Sequence, residues 1–79
     1  MSEFAVMPLN AEELDGLDEL NLDQMDAQAL RLLLERVKAT YPVVEGREPQ
    51  DAGSEEYLLW QEDLETLDDY IDELTERLQ

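Results

Sequence analysis

Cysteine and histidine are both missing from the 79 residues, and each absence removes a class of chemistry. Without thiols there is no disulfide, no zinc–thiolate site and no thiol nucleophile. Without imidazole there is no Ser–His or Cys–His nucleophile and no histidine ligand for a transition metal. Bases are scarce: Arg31, Arg36, Lys38, Arg47 and Arg77 stand against 22 acids, for a formal net charge of −17. Binding nucleic acid directly takes clustered cations that displace counterions from phosphates, and an anionic membrane makes the same demand, so neither is an expected partner. The three glycines are isolated from one another, which excludes a phosphate-cradling loop. No apolar run approaches the ~20 residues that span a bilayer. Residues 1–10 carry Glu3 and no Lys or Arg, unlike the basic start of a secretory signal, and the expected location is cytoplasmic.

What is present divides sharply by charge. Residues 1–20 hold six acids and no base, residues 21–41 three of each, residues 42–53 three acids and one base, and residues 54–79 ten acids and one base. One stretch is neutral and the last is a polyanion. At this length there is room for one core, and the pattern of apolar residues says what builds it.

Leu30, Leu33, Leu34, Val37 and Tyr41 follow the three-and-four spacing of one helix face, which predicts a helix over about 21–41. Two starts fit: Asn21 with Gln24 as a capping box, or Asp26 one turn later. Pro42 cannot continue a regular helix and disfavours the helical conformation at Tyr41, so the end is expected near residue 40. Met25, Ala29 and Leu32 form a second, smaller apolar strip that needs a partner surface of its own. A second helix is predicted over about 54–78, with Ser54 as cap and Glu55 and Glu56 favoured by the positive end of the helix dipole. Along it Tyr57, Trp60, Leu64, Leu67, Ile71, Leu74 and Leu78 repeat in alternating steps of three and four, the seam of helices packed side by side. Leu58 and Leu59 face away from that seam and need cover from the N-terminal segment or another chain.

The fold class expected is therefore all-α: an antiparallel two-helix hairpin over 21–79, joined by a long polar loop in which Val43 and Val44 are the apolar pair. Residues 1–20 form an acidic segment in which Asn10 and Glu13 fit a capping box for a short third helix, with disorder expected before Leu9. Burial within a lone hairpin falls short of the conformational entropy it must offset, which favours completion of a bundle by homodimerisation or by a partner protein. Such a dimer is expected to strengthen with salt, because both copies are strongly negative.

Carboxylates are the only catalytic inventory left. Glu62 with Glu65, Asp69 with Asp72, and Glu73 with Glu76 have the i, i+3 spacing that sets two carboxylates side by side. A magnesium site needs such pairs facing each other from different helices, with bases for a phosphate; all three pairs lie on one helix, so a solvated acidic face outweighs a metal site. No catalytic residue, cofactor or metal is expected. Trp60 and Tyr57 read as core rather than as a ligand cage, and Tyr41 and Tyr70 as core-edge residues with wet hydroxyls. The function expected is a non-enzymatic protein–protein interaction or regulatory module, with Met25, Leu32, Leu58 and Leu59 as the candidate partner surface. The alternative is a nucleic-acid mimic in which Glu62, Glu65, Asp69, Asp72, Glu73 and Glu76 imitate spaced phosphates and occupy the basic groove of a DNA- or RNA-binding protein.

Overall fold

The computed structural model describes residues 6–79. Among them are three α-helices and no strand: α1 (Ala11–Asp15), α2 (Ala27–Glu45) and α3 (Glu55–Arg77), with two 3-10 turns, Leu17–Glu19 and Leu22–Gln24, between α1 and α2. The two long helices pack as an antiparallel hairpin. Trp60, near the start of α3, donates from Nε1 to the carbonyl of Val44, near the end of α2, at 2.7 Å. At the other end Arg77, the last residue of α3, reaches Asp23 ahead of α2 at 2.8 Å.

The seam of α3 is the expected one. Leu67 and Leu74 are fully buried, while Tyr57, Trp60, Leu64, Ile71 and Leu78 are half-buried along the same line. Ser54 caps the helix by accepting from the Tyr57 amide at 3.2 Å, and the Tyr57 and Trp60 rings pack tilted, 5.1 Å apart. From α2 the seam receives Leu30, Leu33, Leu34, Val37 and Val44, all buried, with Tyr41 at the edge.

Of the two starts expected for α2 the structure takes the later, and only the far end runs past expectation. Asp26 is the cap, accepting from the Ala29 amide at 2.8 Å, whereas Asn21 accepts only from Asp23 and closes a 3-10 turn. The helix starts at residue 27 because Met25 and Asp26 are extended, which lets the preceding turn bury Leu22. At the far end α2 runs through Pro42 to Glu45. Proline offers no amide to the Lys38 carbonyl and costs up to about 3 kcal/mol in a helix interior. Continuing the helix buries Val44 and presents its carbonyl to Trp60, which together return about 2–4 kcal/mol. Val43 and Val44 are therefore helical, and the connecting loop shrinks to residues 46–54.

The acidic N-terminal segment folds onto the hairpin. Asn10 and Glu13 make the expected capping box, with Glu13 N–H donating to Asn10 Oδ1 at 2.8 Å and Asn10 N–H to Glu13 Oε1 at 3.1 Å. Beyond α1, Leu17 becomes one of the most buried side chains in the molecule, and Tyr70 donates its hydroxyl proton to the Leu17 carbonyl at 3.0 Å. The Tyr70 hydroxyl is thus not simply wet; burial first, then the Asp18 and Glu73 carboxylates, push its pKa up and keep it a donor. The expectation of disorder before Leu9 falls partly on residues 1–5, which lie outside the described residues. Of the rest, Val6 is half-buried and the Met7 carbonyl accepts from Arg36 Nε at 3.1 Å.

Candidate functional site

A clamp on α2 positions everything on the N-terminal side. Arg36 donates from Nη1 to Glu13 Oε2 at 2.8 Å and from Nη2 to Glu13 Oε1 at 2.7 Å, a bidentate pair that holds the Glu13 carboxyl below its ordinary range. One helical turn on, buried Thr40 accepts from the Leu9 amide at 2.7 Å and donates to the Arg36 carbonyl at 2.6 Å. An apolar stripe overlooks Thr40, but its position is readable: Leu33, Val37, Thr40 and Val44 step by four, three and four. Arg36 and Glu13 carry no such signal, because they sit 23 residues apart and meet only once α1 has docked.

The candidate partner surface splits into two faces. Met25 and Leu32 belong to the first, a groove of about 450 Å3 between α2 and the N-terminal segment, bounded also by Leu17, Leu20 and Leu33. Met25 is half-buried, Leu20 is exposed and Leu32 is 59% exposed. Leu59 lies on a second hollow of about 320 Å3, with Leu9, Leu14, Val43 and Trp60 around it and Asp15, Glu56, Asp63 and Arg47 as its charged neighbours. Leu58 stands beside Leu59 in the first turn of α3, and both remain more than half exposed. The described N-terminal segment does not cover them. Among the residues lining these two hollows, only Leu9 is shared.

Three acids concentrate at that second hollow. Burial, then the charges of Asp15 and Glu62, raise the Asp63 pKa above its ordinary value. Asp15 comes from α1 and Asp63 from α3, so the Asp15 part of this repulsion arises from the docking of the N-terminal segment, whereas the Glu62 part is local to α3.

The six carboxylates of the acidic face are all exposed on α3. Glu73 is tied to Arg77 at 3.1 Å; among the described residues Glu62, Glu65, Asp69, Asp72 and Glu76 make no ion pair. No group of three or more acids among the described residues is placed to hold a metal ion, and no helix among them is long and apolar enough to cross a membrane. No protein family matches the chain, and neither a curated protein nor a solved structure matches it, so the residues themselves carry the functional argument.

Proposed function

We propose that this is a cytoplasmic, non-enzymatic, acidic helical module that binds a basic protein segment through the hollow between α1 and the start of α3. The observation that carries the reading is the combination of exposed Leu59 and Val43 with three acids and one base around them. Apolar side chains set among carboxylates suit a partner that brings aliphatic groups flanked by Lys or Arg. The raised Asp63 pKa supports the same sign of partner, because a cation delivered there relieves the repulsion among Asp63, Asp15 and Glu62.

The nucleic-acid mimic remains the second reading, favoured by Glu62, Glu65, Asp69, Asp72 and Glu76, the five carboxylates of the acidic face that make no ion pair among the described residues. They recur every three or four residues, a rise of roughly 5 Å, along a rigid helix. Affinity capture from the source-cell extract separates the two readings. The bait is the wild-type chain, a Leu58→Ser, Leu59→Ser variant, or a variant neutralised at Glu65, Asp69, Asp72 and Glu76. The module reading expects a basic partner retained by wild type and by the neutralised chain but lost from the Leu58, Leu59 variant. The mimic reading expects the reverse pattern, with DNA- or RNA-binding proteins released as salt rises.

A further inference from the structure

We infer that the charge-balanced face of α2 pairs two copies of this chain, with Leu32 of each copy seated in the groove of the other. This goes beyond the hollow beside Leu59 and uses a separate surface. Leu32 is 59% exposed and forms the ridge between two depressions. One is the groove of about 450 Å3 toward the N-terminal segment; the other, of about 530 Å3, lies toward residues 6–7. A surface that carries a projecting side chain beside a groove roomy enough to admit that same side chain is complementary to itself, which is what a two-fold interface requires. Leu20 and Met25 line the groove into which the second Leu32 fits, and exposed Met7 flanks the ridge.

Charge selects a second copy over another occupant. The charged residues lining the two depressions are Glu13, Glu35, Arg31 and Arg36, two of each sign, whereas α3 holds ten acids and one base. No residue of α3 lines either depression. Two chains of −17 can therefore meet closely on this face while their polyanionic helices stay behind it. A basic partner finds no excess of acid here and finds it beside Leu59. In an antiparallel pairing of two α2 helices about an axis beside Leu32, Arg31 of one copy lies level with Glu35 of the other to within about 3 Å along the helix. Each copy then presents an opposite charge to its mate twice. At low salt the screening length is several times the roughly 8 Å of physiological salt, so the like charges of two −17 chains repel there, and added salt strengthens the pair by screening them.

Sedimentation equilibrium of the full chain at micromolar concentration, in low and in high salt, tests the pairing. The expected result is a monomer–dimer equilibrium that tightens as salt rises. Leu32→Arg should weaken association by roughly tenfold or more while far-ultraviolet circular dichroism stays unchanged, because Leu32 is outside the core. Arg31→Glu alone should weaken it, and Arg31→Glu combined with Glu35→Arg in the same chain should restore it. A Leu58→Ser, Leu59→Ser variant should dimerise as wild type does. A wild-type chain that stays monomeric in both salts overturns the inference. So does a dimer that tolerates Leu32→Arg and dissociates on loss of Leu58 and Leu59.

Discussion

Thr40 shows how much of the tertiary structure rests on one hydroxyl. It is 1% exposed, it accepts from the Leu9 amide, and it returns its own proton to the Arg36 carbonyl one turn back. Thr40→Val keeps the shape and leaves the Leu9 amide without its acceptor, a loss of about 1–2 kcal/mol. Urea denaturation should report that loss, and hydrogen exchange should show the Leu9 amide losing protection first. Asp63 works in the opposite sense. Its charge is disfavoured in the fold by burial, Asp15 and Glu62, so Asp63→Asn should raise stability at neutral pH. The gain should be no more than about 0.5 kcal/mol, since Asp63 is only half-buried and solvent screens much of the repulsion. A thermal scan of the two chains at neutral pH checks it, and a lower midpoint for Asp63→Asn would refute the repulsion.

At the scale of elements, α2 is held past its proline by its neighbour rather than by its own sequence. The continuation from Pro42 to Glu45 exists because Val44 is buried and its carbonyl takes the Trp60 indole proton. Pro42→Ala should therefore stabilise the protein, by about 1–2 kcal/mol after allowing for the greater freedom of the unfolded chain. Denaturant midpoints measure this directly; a destabilised Pro42→Ala chain would mean that the ring's own contacts outweigh the missing hydrogen bond. The N-terminal segment is the complementary case. Its helix α1 has five residues, far too few to persist alone, and it is ordered by Leu17 in the core and by the Arg36 clamp. Part of the burial that a bare hairpin lacks is thus supplied from within the chain.

For the whole molecule, net charge sets the response to solution conditions. Screening of like charges should raise the thermal midpoint as salt is added at neutral pH. Acid acts in two opposed senses. Asp63 has a folded pKa above its ordinary 3.8, so its charged form costs stability and that cost disappears as pH falls through the raised value. Glu13 has a folded pKa below its ordinary 4.5, so the stability it contributes is complete above 4.5 and is lost as pH falls from there through the depressed value. The two groups therefore act in opposite senses as pH falls: neutralising Asp63 favours the fold and, below about pH 4.5, neutralising Glu13 disfavours it, so the acid decline should be steeper in an Asp63→Asn chain than in wild type. In a Glu13→Gln chain the decline should start from a lower plateau and be shallower. Thermal midpoints across the acid range read both effects.

The apolar spacing of Tyr57 to Leu78, the caps at Ser54 and Asn10, and the division of charge were sufficient in sequence for an all-α hairpin with an acidic outer face. These depend on neighbours three or four residues apart, so local geometry alone decides them. The choice of Asp26 over Asn21, the passage of α2 through Pro42, the burial of Leu17 and Thr40, and the separation of Leu32 from Leu58 and Leu59 onto different faces were decided by tertiary structure. The passage through Pro42 and the burial of Thr40 and Leu17 go with contacts far apart in the chain: Val44 with Trp60, Leu9 with Thr40, and Leu17 with Tyr70. The energy of such contacts appears only when separate elements lie against one another, and no periodicity along the chain records it.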